Sequence, residues 1–163
     1  MTQPLRTFTG ETIYLDTMVP YALLRGIDPA VEAFFERLAQ ESLTAYTSAL
    51  TFDELAYRFL LALIKDGYGG SPLDRLRKEE DKMMGEFAPA VAHGLRRLRA
   101  FPNLVTLDVA VSDLDAMNDA MLQYHLRPRD ALHLAAMQRV DCLDLASNDA
   151  HFDRIPHIRR FEI

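Results

Sequence analysis

The chain has 163 residues, 49% apolar and 26% charged, with a formal net charge of −6, which suits one globular domain with a real core and excludes a disordered or low-complexity chain. Its longest apolar runs, such as Ala56 to Ile64, are far too short to span a membrane, the opening MTQPLRTFTG lacks the apolar stretch of a secretory signal, and the lone Cys142 rules out an internal disulfide, so a cytoplasmic protein without membrane contact is expected. Acidity argues mildly against a nucleic-acid partner, but two bound divalent ions would offset about four negative charges, so charge does not decide the partner.

Thr12 to Leu15 is β-rich and apolar and reads as a buried strand that ends on Asp16. Thr17 to Arg25 is a short helix, broken by Gly26 and Pro29. Ala30 to Gln40 is helical, with Val31, Phe34, Phe35 and Leu38 on one core-facing stripe. Leu43 to Ser48 is a second strand. Leu50 to Lys65 is a helix apolar on most sides, which other elements must cover. After Gly67, Gly69 and Gly70, Ser71 caps a new helix with Pro72 at its first position and Asp74 at its third. That charged segment runs toward Gly85, is interrupted near Pro89 and resumes to Ala100. Leu73 to Ala100 thus reads as a helical arm or hairpin, an extended arm over about 65–100, attached to a single domain spanning 1–163.

Leu104 to Leu107 is a third strand. Ser112 caps a helix carrying Leu114, Met117 and Met121 at helical spacing, and Pro128 opens another that runs to about Val140. Cys142 to Ala146 is a fourth strand, and Phe161 to Ile163 a candidate fifth on the edge. Strands alternating with helices predict a parallel sheet with helices on both faces.

In such a sheet, sites form at the carboxyl ends of the strands. Asp16 ends the first strand, and Asp149 follows the fourth after Ser147 and Asn148. Glu54 lies early in the helix after the second strand, and Asp130 in the first turn of the helix opened by Pro128. Helices that follow strands start at the edge where those strands stop, so all four carboxylates can reach one spot. Taken singly, each acid is an ordinary turn former or helix-start residue; the unusual feature is four at equivalent places. Converging carboxylates repel one another unless a cation compensates, and oxygen-only ligands favour magnesium or manganese over zinc. A site of that kind suits phosphodiester hydrolysis.

The segments Ile13-Tyr14-Leu15-Asp16-Thr17, Thr47-Ser48-Ala49-Leu50 with Glu54-Leu55, Arg129-Asp130-Ala131-Leu132-His133-Leu134-Ala135, and Ser147-Asn148-Asp149 with Phe152 resemble a PIN domain, and most of all the ribonuclease toxins of the VapC type. The likeness spans nearly the whole chain apart from the arm. It implies a three-layer α/β/α fold around a mostly parallel sheet of four to five strands. It also implies a magnesium- or manganese-dependent endoribonuclease acting on RNA, a homodimer, and an antitoxin protein that inserts into the site. Asp16, Glu54, Asp130 and Asp149 match the acidic quartet of catalytic metal ligands, and Thr17 and Ser147 the small hydroxyl residues near the metal. One departure stands out. Many relatives carry a further acid two residues after the last one, where this chain has His151. Asp153 is then a candidate stand-in ligand, and His151 a candidate phosphate contact.

Other residues have competing readings. Asp53 adjoins Glu54, and neighbours on a helix point about 100° apart, so one alone can face the site; the periodicity leaves the choice open and the resemblance picks Glu54. His133, one turn after Asp130, reads as a packing residue beneath the site. Cys142 reads as core. Arg127 and Arg129 flank Pro128 and are candidate substrate contacts. Arg96, Arg97 and Arg99 read by default as a solvated face, with RNA phosphate contact as the sharper alternative. The apolar faces of the Leu114 to Met121 helix and of the arm suit either core packing or a dimer or antitoxin surface.

Two other functions compete. A haloacid-dehalogenase-like phosphatase would use Asp16 as nucleophile, but that chemistry wants a second acid at the position of Met18. A non-catalytic PIN scaffold that binds RNA or protein is the other, kept open by His151.

Overall fold

The computed structural model describes residues 2–40 and 42–163. Six strands form one sheet: β1 (Gln3–Pro4), β2 (Thr12–Leu15), β3 (Thr44–Ser48), β4 (Leu104–Leu107), β5 (Asp144–Ala146) and β6 (Arg159–Glu162). Their order is β1-β6-β5-β2-β3-β4, and every neighbouring pair is parallel. The sheet exceeds the expected four to five strands because of β1. Its two residues carry no periodic pattern of their own, and they pair with β6. That pairing makes β6 an interior strand, not the edge strand expected of the C-terminal segment.

Parallel strands need crossover connections, and helices supply most of them. Helices α1 (Met18–Arg25) and α2 (Pro29–Gln40) link β2 to β3. Helices α3 (Ala49–Tyr68), α4 (Pro72–Lys78) and α5 (Glu80–Arg99) link β3 to β4. Helices α6 (Asp113–Tyr124) and α7 (Pro128–Arg139) link β4 to β5, and a 3₁₀ turn, Ala150–Arg154, leads to β6. Among the described residues no helix is long and apolar enough to cross a membrane.

Alternation along each strand divides the core into two layers. Ile13, Leu15, Ala45 and Ala146 pack with Val19, Phe34, Phe35, Leu38 and Leu55 on one face. Tyr14 and Leu145 pack with Leu134, Met137 and Phe152 on the other. Side chains two apart share a face, so a central strand buried on both sides is apolar on both, as Ile13, Tyr14 and Leu15 of β2 are. The result is the α/β/α architecture that the alternation of elements predicts.

The segment after α3 takes the hairpin form of the expected helical arm or hairpin. Helices α4 and α5 fold back on α3 and enclose a third core of Phe59, Leu60, Ile64, Met83 and Val91. Gly94 permits the close approach, since a Cβ there would lie 3.3 Å from Phe59 Cε1 and 3.4 Å from a Leu24 methyl. Pro89 does not interrupt α5, which runs through it, and the break falls at Glu79 instead (φ −133°, ψ 45°). Proline inside a helix leaves the carbonyl four residues back without a donor. Here that carbonyl belongs to Gly85, which is exposed to solvent, while Met83, Val91 and Leu98 hold the helix to the core on both sides. Ser112 does not cap α6 with its side chain; Asp113, the first residue of the helix, instead ties down the preceding loop, its Oδ2 accepting from Ala110 N at 2.8 Å.

Buried Arg160 of β6 fastens the sheet to the turn after β5. It donates to both oxygens of Asp153 (2.7 and 2.9 Å), to the Ser147 carbonyl (2.9 Å) and to Thr2 Oγ1 (2.7 Å). Arg160→Ala is expected to lower stability by about 2 kcal/mol or more, because it strips a buried carbonyl and an acid of their donor. Chemical denaturation should report a lower midpoint with an unchanged slope.

Candidate metal centre

The centre sits at the carboxyl edge of the sheet, where β2, β3 and β5 stop. Asp16 is one residue past β2, yet its N–H still bonds Ala146 O at 3.0 Å, so the ladder carries it to the end of β5. Its Oδ1 accepts from Thr17 N at 2.7 Å and its Oδ2 from Ser147 Oγ at 2.6 Å. Ser147 Oγ also accepts from Asp149 N at 3.0 Å. One hydroxyl therefore joins the acid after β2 to the loop after β5.

Glu54 comes from the second turn of α3, which Ser48 caps by accepting from Thr51 N. Glu54 Oε2 accepts from Thr17 Oγ1 at 2.6 Å and lies 3.6 Å from His133 Nε2, while Oε1 accepts from Arg129 at 3.2 Å. Neighbouring Asp53 points outward, with a side chain 73% exposed and only a long 3.8 Å contact to Arg129. Asp130 occupies the first turn of α7, and Asp149 Oδ1 accepts from His151 N at 2.8 Å and lies 2.5 Å from His151 Nδ1.

The four acids do not form one cage of carboxylates. They fall into two triads, Asp16 with Glu54 and His133, and Asp130 with Asp149 and His151, in each of which the ligand atoms lie within 4.8 Å of one another. The triads adjoin. Ser147 touches Asp16 and the Asp149 backbone, Asp130 and His133 stand one turn apart on α7, and the charge of Asp16 is felt at Asp130. Each triad includes an imidazole, so the donor set is not oxygen alone as expected.

His133 is the residue whose place the sequence least revealed. It is 2% exposed, its Nδ1 pairs with Tyr14 OH at 2.8 Å, and its Nε2 has no hydrogen-bond partner within normal distance. Its spacing from Asp130 was the available signal; nothing in the sequence pointed to Tyr14. Asp153 is not part of the cluster. Arg160 holds both its oxygens and keeps its carboxyl below the usual range. Exposed Arg127 contributes positive charge near Asp149, and half-exposed His151 is bound to Asp149.

The protonation pattern follows from these contacts. Burial tends to raise the Glu54 carboxyl, but the nearby His133 imidazole, the hydrogen bond from Thr17 and the charge of Arg129 outweigh it and bring it down to about 2. Burial likewise opposes ionisation of Asp149, and the His151 backbone and ring overcome it. Asp130 goes the other way. Burial and the charges of Asp149 and Asp16 raise it, and its Oδ2 is buried without a hydrogen-bond partner. An orphaned carboxylate oxygen beside two other acids is what a bound cation relieves, so the residues fit a divalent ion. Asp16, Glu54 and His133 offer one set of ligands for such an ion, and Asp130, Asp149 and His151 another.

An α/β protein with a parallel sheet and an acidic centre at its carboxyl edge is thus defined by fold and site. The family model for the PIN domain matches residues 13–158, and the chain belongs to that family. No curated protein matches the chain. Among solved structures, it is similar to VapBC2 from Rickettsia felis bound to a promoter DNA fragment, at a TM-score of 0.62 and 15% identity over 93% of this chain and 98% of that one. It is also similar to VapC20 of Mycobacterium tuberculosis, a toxin that cleaves the sarcin-ricin loop, at a TM-score of 0.55 and 14% identity over 86% and 92%. A third is FitAcB from Neisseria gonorrhoeae, at 0.51 and 19% over 91% and 96%. At these identities the likeness is one of fold.

Asp130 gives a test of the cation fit. Its folded carboxyl is raised, so its ionisation costs stability as pH climbs from the ordinary carboxylate range through the raised value, and the cost is complete above that. Asp130→Asn should therefore raise the melting temperature of the metal-free protein at pH 7. Saturating manganese at 100 times its Kd would stabilise the parent by about 2.7 kcal/mol, about 5–10 °C for a chain of this size. That shift should be lost in Asp130→Asn and shrink in the parent as pH falls from 7 toward the raised range of the Asp130 carboxyl, where protons compete for it. Thermal melts with manganese and with chelator measure both.

Proposed function

We propose that this protein is a divalent-metal-dependent endoribonuclease that hydrolyses RNA phosphodiester bonds and acts as the toxin of a toxin–antitoxin pair. The observation that carries the reading is the buried, partnerless Asp130 oxygen set among acids from four separate segments at one sheet edge. Membership of the PIN family and the fold likeness to VapBC2 and to a sarcin-ricin-loop-cleaving toxin support it.

In this reading Asp16, Glu54, Asp130 and Asp149 are the catalytic metal ligands, and magnesium or manganese is the ion. A bound ion of that kind acidifies a water and offsets charge on the leaving oxygen. The remaining work belongs to the chain. Thr17 and Ser147 hold the Glu54 and Asp16 carboxylates in fixed orientations by hydrogen bonds of 2.6 Å each. Arg127 and Arg129 are exposed cations at the start of α7, suited to substrate phosphates. Arg129 must first leave Glu54, which its long, 61% exposed side chain permits. His151 keeps Asp149 ionised and is placed to meet a phosphate with its free edge. Asp153, committed to Arg160, is left out of the ligand set.

The same reading makes 1–163 one domain, although Met1 and Glu41 lie outside the described residues, and makes the protein a cytoplasmic homodimer regulated by an antitoxin. Val111 and Leu122, 84% and 77% exposed, and Leu114 form an apolar surface at and before α6 that suits a protein partner. A metal-free PIN scaffold is the second reading, since Thr17, Arg129 and His133 already neutralise Glu54. Calorimetric titration without detectable magnesium or manganese binding would favour it.

Asp16→Asn should reduce manganese-dependent cleavage of structured RNAs by about a hundredfold or more, since even the groups that support metal ligands are worth about 10- to 100-fold, and chelator should have the same effect on the parent. Undiminished cleavage by a folded Asp16→Asn protein would sink the assignment.

A further inference from the structure

A second polar feature lies on the same sheet edge, two strands from the acids. A cleft of about 660 Å³ runs between the last turn of α5, the first turn of α3 and the end of β4. Arg96 and Arg99 line it from α5, Thr106 and Asp108 from the end of β4, and Phe52 and Leu95 form its apolar wall. Arg96 and Arg99 are three apart on a helix, so both guanidinium groups reach the same side. Both are exposed, and neither has a carboxylate or carbonyl partner for its side chain among the described residues. The one acid in the cleft is already matched, because Arg139 lies 2.9 Å from Asp108 Oδ1 and donates to the Asp108 carbonyl at 2.7 Å. In a chain of net charge −6, two unpaired arginines in one cleft are a concentrated pair of anion donors.

Geometry relates the cleft to the acidic centre. Leu107 at the end of β4 is in register with Ser48 at the end of β3, and β3 lies beside β2, which delivers Asp16. Two strand spacings are about 10 Å, the span of about three stacked nucleotides at roughly 3.4 Å each. We infer that this cleft is an RNA-backbone subsite, in which Arg96 and Arg99 hold phosphates a few nucleotides from the acidic centre; the inference rests on the nuclease reading. The apolar wall of Phe52 and Leu95 suits a ribose or base face beside those phosphates. An acidic protein segment would use the charges but would gain nothing from alignment with the metal centre along the strand ends.

The test uses the full chain with Asp16→Asn, which removes cleavage, and a labelled single-stranded RNA of about twelve nucleotides. Adding Arg96→Ala with Arg99→Ala should weaken binding by about tenfold at low salt. The slope of log affinity against log salt should fall by about 1.4, the amount two single-strand phosphate contacts contribute. A charge-matched control, Arg77→Ala with Lys78→Ala on exposed positions of α4, should leave both nearly unchanged. Equal losses in the control, or no loss in the Arg96 and Arg99 variant, would overturn the subsite. So would a glutamate-rich peptide that binds as tightly as RNA through the same two arginines, which would assign the cleft to a protein. With Asp16 restored, the Arg96/Arg99 variant should still cleave a tetranucleotide at the parental rate while losing activity on the longer strand. Parental cleavage with unaltered binding defeats the subsite alone, whereas arginine-dependent binding without cleavage by the parent defeats the nuclease reading.

Discussion

The parallel pairing of β2 with β5 is the constraint from which the site follows. It sets Leu15 against Ala146, bonds the Asp16 N–H to the Ala146 carbonyl at 3.0 Å, and brings the Asp16 carboxylate within 2.6 Å of Ser147 Oγ. Main-chain bonds of a sheet buried on both faces are hard to deform, because slipping by one residue would send the side chains of each core into the other and spoil the packing of both. The acids are therefore held closer together than free carboxylates would stand. Folding supplies the energy that keeps Asp130 against Asp149 and Asp16, and a destabilised oxygen at a working site is a familiar exchange of stability for function.

Support extends behind the acids. Arg160 reaches from β6 to the Ser147 carbonyl, and Thr17 joins the start of α1 to Glu54 on α3. Hydrogen-bonded groups behind the carboxylates limit their rotamers, which is how a site keeps its geometry before any ligand arrives. The positive ends of α3 and α7 lie at the same edge and favour ionised Glu54 and Asp130. For Glu54 the contacts reinforce that field; for Asp130 burial and like charge overcome it.

Much of this architecture was legible in the sequence because its cause is local. The apolar run Thr12 to Leu15, the stripe Val31, Phe34, Phe35 and Leu38, and the Ser71-Pro72 start each state their own element. Topology then brings Asp16, Glu54, Asp130 and Asp149 to one edge, since strand ends and the following helix starts coincide. What could not be read depends on contacts between distant segments. The division into two triads turns on side-chain reach. Helical spacing alone left Asp53 and Glu54 equivalent; the resemblance favoured Glu54, and the place of α3 against Thr17 gives the physical reason. Asp153 looked available until Arg160, remote in its contacts, claimed both oxygens. Pro89 signalled a break that core packing on either side of it overrides. Strand β1 has no pattern, because two residues cannot have one.

Helix α7 contributes Asp130 to one triad and, a single turn later, His133 to the other. The two groups therefore share a rigid carrier. A tilt or slide of that cylinder would shift both by similar amounts and in the same direction, so neither can be retuned without its neighbour. Anything that wedges against the outer flank of α7, including its extensive packing on α6, acts as a common lever on the entire acidic edge.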